Sequence, residues 1–232
     1  MKIKLILTCI TFIGYLMTFT GYAAAATYTL TATDSGWYTT VNGHNPDNNN
    51  FIVGNCCGDG EHRNFFVFDL SGVSGNITSA TLEIETRSIS TPDPSETWAL
   101  YDISTPIATL IAGGISASIF TDLGSGTSYG NVTVANDYKG IVSVSLNASA
   151  VAALNTAKGT SFALGGAITT LGGAYDEYIF GNSESDHIRR LTLQTNDFTA
   201  IPTMTEWGMI IFMMFAGLGA AYYLRRQRRL ER

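Results

Sequence analysis

The chain has 232 residues, 45% of them hydrophobic, and a formal net charge of −6 that hides an uneven distribution. Between Thr27 and Glu206 lie 18 Asp and Glu, every one but Glu231, against 6 Lys and Arg (Arg63, Arg87, Lys139, Lys158, Arg189 and Arg190), a formal charge of −12. Such an acidic middle excludes nucleic acid as a partner, because binding a phosphate backbone needs a basic footprint that releases counterions. It suits a soluble secreted surface, with cation binding at clustered carboxylates as the sharper reading.

At the N-terminus Lys2 and Lys4 precede a mostly apolar stretch from Leu5 to Thr20, and Ala23 to Ala26 places small residues where a signal peptidase needs them. The pattern predicts a secretory signal peptide over residues 1–26, cut near Ala26. Cys9 comes too early, before a full apolar region, to mark a lipoprotein.

Residues 27–198 then suit one domain with a single core. Short strands divided by Gly, Asn, Asp and Ser clusters are the all-β signature. Ala80, Leu82 and Ile84 alternate with Thr81, Glu83 and Glu85. Val142, Val144 and Leu146 alternate with Ser143 and Ser145, and Leu191 and Leu193 with Arg190, Thr192 and Gln194. This period of two predicts antiparallel sheets with one wet face. Phe65-Phe66-Val67-Phe68 is apolar on both sides, as in a central strand or one covered by a loop. One short helix is expected over Ala148 to Thr156, capped by Asn147 and ended by Gly159. The predicted fold is an antiparallel β-sandwich of jelly-roll type with that one helix, flanked by the signal peptide and a C-terminal transmembrane helix.

Candidate chemistry concentrates in Asn55-Cys56-Cys57-Gly58-Asp59-Gly60-Glu61-His62. Cys56 and Cys57 are the only cysteines left after signal cleavage. In an oxidising envelope they either form a vicinal disulfide or stay free or bridge between molecules. A zinc role with His44 or His62 is the least favoured, because adjacent cysteines do not easily point at one ion. Asp47, Asp59 and Glu61 are candidate calcium ligands, with Gly58 and Gly60 allowing a tight turn, although the spacing is not that of an EF-hand. No other cofactor is expected. Trp37 and Trp98, with Tyr38 and Tyr101, are candidates for sugar contact through a flat aromatic face, set against the commoner role of strand aromatics as core. None of His44, His62 and His187 lies beside a nucleophile motif, so catalysis is not expected.

The tail, residues 199–232, has its own order. Ile201, Pro202, Thr203, Trp207 and Gly208 sit in a short motif over residues 201–208, followed by an apolar run and then Arg225, Arg226, Arg228 and Arg229. From Trp207 to Leu224 there is no charged side chain, and a helix of that length rises ~27 Å, enough for a hydrocarbon core with some thinning. Residues 207–224 are therefore expected to span the membrane, with Trp207, Tyr222 and Tyr223 at its interfaces. The arginines place residues 225–232 in the cytoplasm and the body outside it.

On Ile201, Pro202, Thr203, Trp207 and Gly208 the tail resembles the IPTL-CTERM family, whose consensus is I-P-T-L-x-x-W-G and which is similar to PEP-CTERM proteins; Met204 stands at the consensus Leu. The resemblance implies an exported protein of a Gram-negative envelope, carried by the secretion translocon and cut in the tail by an exosortase, a membrane-embedded cysteine protease. It then implies release or attachment at the cell surface or outside. The strand pair Arg63-Asn64-Phe65-Phe66-Val67-Phe68-Asp69-Leu70-Ser71 and Ile77-Thr78-Ser79-Ala80-Thr81-Leu82 resembles that of secreted bacterial β-sandwich modules, carbohydrate-binding modules with a calcium ion among them. From both, the expected role is a non-enzymatic surface or matrix protein, with polysaccharide as a candidate partner. The rivals are a carbohydrate-binding adhesin, an uncut single-pass inner-membrane protein with a periplasmic domain, and, less favoured, a secreted glycoside hydrolase.

Overall fold

The computed structural model describes residues 24–173, 176–182, 187–197 and 206–230. The chain divides into two units, one running from Ala25 to Asp197 and the other joining Met1–Ala24 with Phe198–Arg232. Residues 1–23 of the expected signal peptide lie outside the described residues, as do Ile201, Pro202 and Thr203 of the tail motif.

The body holds strands β1 (Ala24–Thr31), β2 (Asp34–Tyr38), β3 (Phe51–Asn55), β4 (Glu61–Asp69), β5 (Asn76–Thr86), β6 (Ser88–Ser90) and β7 (Ser95–Tyr101), then helices α1 (Ile107–Ile111) and α2 (Ala117–Asp122). After them come β8 (Ser128–Ala135), β9 (Gly140–Ser145), helix α3 (Ala148–Ala157), β10 (Ser161–Ile168), β11 (Glu177–Gly181) and β12 (Arg189–Asp197). β1 as described runs from Ala24 across the expected boundary at Thr27, and the Thr195 hydroxyl donates to the Ala26 carbonyl at 3.5 Å.

The strands form two sheets. One is four-stranded in the order β1-β12-β5-β9; the other is eight-stranded, β6-β11-β3-β4-β10-β7-β8, with β2 also paired to β4. Every pair whose register is described is antiparallel. This is the predicted sandwich, although the unequal split departs from the even double sheet of an eight-stranded jelly roll.

The alternation read from sequence becomes the main core. In β5, Ile77, Ala80, Leu82 and Ile84 are buried, and β12 sets Leu191 opposite Leu82 and Leu193 opposite Ala80, while β9 sets Val144 opposite Leu82. They share one cluster with Phe51, Phe66, Phe68, Trp98 and Leu164 of the larger sheet. Each such side chain taken from water contributes roughly 1.5–3 kcal/mol.

The two-sided run in β4 has its reason in a second, smaller core. Phe66 and Phe68 face the main core, whereas Phe65 and Val67 face outward and join Tyr38, Leu110, Ile119, Phe120, Leu123 and Ala163. Helices α1 and α2 supply the cover, and they add to the single helix expected. They are short, but Ser116 caps α2 by accepting from the Ile119 N–H. α2 ends hard against β10, where a Cβ on Gly165 would stand 2.6 Å from the Leu123 carbonyl oxygen. α3 matches its expected bounds closely, with Asn147 accepting from the Ala150 N–H at 3.1 Å and Gly159 at φ 81° just past its end.

In the second unit the described helix is α4, Glu206–Leu230, which carries Trp207 and Gly208 in its first turn and Arg228 and Arg229 in its last. Among the described residues no helix is long and apolar enough to cross a membrane. The expected span at 207–224 is therefore not confirmed.

Candidate functional site

The β3–β4 hairpin gathers some of the sequence candidates. Cys56 and Cys57 are joined as a vicinal disulfide with Sγ–Sγ 1.99 Å. The turn is tight because Cys57, Gly58 and Gly60 all take positive φ, at 66°, 82° and 85°. The Asp59 N–H donates to the Cys56 carbonyl at 3.2 Å, which closes the turn. Cys56 is buried and Cys57 exposed.

The expected calcium ligands do not converge there. The Glu61 carboxylate accepts from Arg63 Nε at 2.8 Å, and that guanidinium goes on to the Phe120 carbonyl and lies 4.2 Å from the Phe120 ring centre. Glu61 is thus committed to anchoring α2. Asp59 is exposed in the turn, and Asp47 sits exposed in the β2–β3 loop with its N–H on Asn45 Oδ1.

The carboxylates that do converge are Asp93, Glu96 and Glu177, whose ligand oxygens lie within 4.8 Å of one another. Glu96 is the second residue of β7, Glu177 opens β11, and Asp93 lies in the loop ahead of β7. Both glutamates are fully buried. Glu96 accepts from the Thr91 hydroxyl at 2.5 Å and from the Thr170 hydroxyl. Glu177 accepts from the Gly172 and Gly173 N–H groups at 3.1 and 3.0 Å. An all-oxygen set with several lone pairs to spare suits a hard divalent cation such as calcium. Sequence reading missed it because β-pairing, not chain proximity, brings position 177 to positions 93 and 96.

The sugar-contact candidates separate. Trp98 is 0% exposed in the main core, 6.2 Å from Phe66, so its ring offers no face to a ligand and that expectation is corrected to core packing. Tyr38 is likewise buried, its hydroxyl donating to the Leu110 carbonyl at 2.6 Å. Trp37 is half-buried, 6.3 Å from the His62 ring, and Tyr101 is half-buried at the end of β7.

The histidines occupy structural positions. His62 is buried with Nδ1 3.0 Å from the Gly60 carbonyl, and burial holds its pKa below the ordinary value against the Gly60 and Gly54 backbone and Asp59. His187 Nδ1 lies 3.5 Å from Glu85. His44 is packed on Phe65 beneath the β2–β3 loop.

In sequence, residues 199–229 match the IPTL-CTERM motif. The chain is therefore a β-sandwich protein carrying a C-terminal sorting signal, which points to an exported surface protein. No curated protein matches it. Among solved structures it is similar to the K1 cleaved adhesin domain of Lys-gingipain from Porphyromonas gingivalis, at 16% identity and TM-score 0.30 over 76% of this chain and 100% of that one. It is also similar to the N-terminal modules of endo-1,4-beta-D-xylanase 10B from Clostridium thermocellum, complexed with xylohexaose, at 10% identity and TM-score 0.30. That likeness covers 77% of this chain and 29% of the xylanase. At this level of superposition neither likeness bears on the role of the chain.

Proposed function

We propose that the protein is a non-enzymatic component of the cell surface or extracellular matrix, delivered there by a tail that an exosortase-type protease removes after export through the translocon. The observation that carries this reading is the IPTL-CTERM match over residues 199–229, with a basic end at Arg225, Arg226, Arg228 and Arg229. In this reading residues 207–224 of α4 are held in the inner membrane until processing, residues 225–232 stay cytoplasmic, and the sandwich is the exported product. A passive role is supported by where the reactive side chains sit: His44 and His62 are buried, and Glu61 and Glu83 are tied to Arg63 and Arg190 at 2.8 and 2.6 Å.

A polysaccharide-contacting role is the second reading, and half-exposed Trp37 at the end of β2 is the residue that favours it. The intact mass of the protein recovered from its own cell envelope tests the first reading. The expected mass lacks the signal peptide and everything after the segment Thr203 to Gly208. Protein that still carries Arg225 to Arg232 throughout would make the tail a plain anchor instead.

A further inference from the structure

The segment 39–50, between β2 and β3, is pinned at His44. The His44 ring stands edge-on to Phe65 with centroids 4.9 Å apart and lies 6.1 Å from Tyr38. It rests on β2 at Gly36, where a Cβ would come within 2.3 Å of Nδ1, so the slot exists only because residue 36 has no side chain. The backbone is held too. The Gly114 N–H donates to the His44 carbonyl at 3.1 Å, and Gly43 packs so closely on Gly114 that no Cβ fits between them.

His44 is 3% exposed, yet neither ring nitrogen has a hydrogen-bond partner among the described residues. A neutral imidazole tolerates this at a modest cost, whereas an imidazolium gives up its water and gains no acceptor in return. The groups facing it are few. β2 presents Asp34, whose Oδ1 is also buried without a partner, and Tyr38, whose hydroxyl is engaged by Leu110. β4 presents Phe65, and the 113–115 turn presents backbone. Arg189 of β12 acts on Asp34.

We propose that segment 39–50 is an acid-released strap: charging His44 lifts it from β2 and uncovers the apolar faces of Tyr38 and Phe65.

The direction of the titration agrees with the geometry. Burial holds the His44 pKa below its ordinary 6.5, and the Asp34 charge only partly offsets this. The open strap therefore takes up the proton more readily than the closed one. Closure is fully favoured above pH ~6.5 and weakens as the pH falls below it. Asp34 works the other way. Its pKa is raised by burial against His44, the Ser35 N–H and Arg189, so protonation of Asp34 favours the closed form as the pH falls through that raised value, opposite in sign to His44.

Amide hydrogen exchange of the full-length protein from pH 8 to pH 5, corrected for intrinsic rates, tests this. Protection over 39–50 is expected to fall on the order of tenfold per pH unit once His44 titrates, as one linked proton requires, while β5 and β12 keep theirs. His44→Phe, which fills the slot without titrating, removes the pH dependence. Asp34→Asn takes away the one charge that favours the imidazolium in the closed form, so the loss still begins near pH ~6.5 but is larger by pH 5 than in the wild type, and this variant serves if the Phe variant fails to fold. Protection that does not change with pH in the wild type overturns the proposal. So does an unchanged loss in His44→Phe, or a loss that Asp34→Asn abolishes, which would make Asp34 the trigger.

Discussion

Asn155 in α3 grips both sides of one residue of β5. Its Oδ1 accepts from the Ile77 N–H at 2.9 Å and its Nδ2 donates to the Ile77 carbonyl at 2.8 Å, so while β12 pairs Thr195 with Ile77, the amide side chain supplies bonds where β9, whose pairing with β5 stops at Thr81, does not reach. Ile77 is 1% exposed, and its backbone has little other access to water. With each lost bond worth about 1 kcal/mol, Asn155→Ala is expected to destabilise the body by ~2 kcal/mol. Urea unfolding with an unchanged slope checks this. A midpoint equal to the wild type's would mean that water replaces both bonds.

The sandwich was legible in sequence wherever one face of a strand is wet. Leu82 and Ile84 alternating with Thr81, Glu83 and Glu85, or Leu191 and Leu193 alternating with Arg190, Thr192 and Gln194, announce their face by period alone. α3 was legible because Asn147 and Gly159 mark its ends. α1 and α2 were not, since 5 and 6 residues make fewer than two turns and leave no periodicity to read. Their presence was recorded indirectly in Phe65 and Val67, apolar on a face that would otherwise be wet. The acidic group at Asp93, Glu96 and Glu177 left no local signal, because it depends on the pairing of β11 with β6. Trp98 shows the limit of residue type as evidence: an aromatic in a strand is the same letter whether it stacks on a sugar or on Phe66.

Asp122 ties the end of α2 to the segment after β7. Its carboxylate accepts from the N–H and hydroxyl groups of both Ser104 and Thr105, the hydroxyls at 2.6 and 2.7 Å. Partial burial pushes its pKa up, and these donors together outweigh that and bring it below the ordinary 3.8. A depressed carboxylate contributes stability that is present above pH ~3.8 and lost as the pH falls through its lower folded value. Asp122→Ala should therefore cost ~1 kcal/mol at neutral pH, discounted for solvent screening, and the gap to wild type should close in strong acid. Thermal melts of the two proteins at pH 7 and pH 2.5 report it; a gap that widens in acid contradicts the assignment.

The Cys56–Cys57 bond spans no intervening residue, so it removes almost no loop-closure entropy from the unfolded chain. Stability rests on the two cores. Reduction is expected to leave the urea midpoint within error, whereas Leu82→Ala, at a fully buried position facing both β9 and β12, is expected to cost ~2–5 kcal/mol. Unfolding on mild reduction, with Leu82→Ala harmless, would reverse that ranking.

Calcium separates the two acidic regions. Glu61 is occupied by Arg63 and Asp59 is exposed in its turn, whereas Glu96 and Glu177 are buried with Asp93 beside them. A cation held by the native state alone raises the melting temperature by mass action. The rise with millimolar calcium over chelator is expected to persist in Asp59→Ala, because that carboxylate is placed with no second free one. It is expected to vanish in Glu177→Gln, which keeps the bonds from Gly172 and Gly173 at one oxygen at most while removing the charge. Differential scanning calorimetry of the three proteins, each with calcium and with chelator, gives the comparison. A rise lost in Asp59→Ala and kept in Glu177→Gln returns the ion to the β3–β4 hairpin, and identical curves for the wild type under both conditions leave the three carboxylates as a hydrogen-bonded strut between the β6–β7 loop and β11.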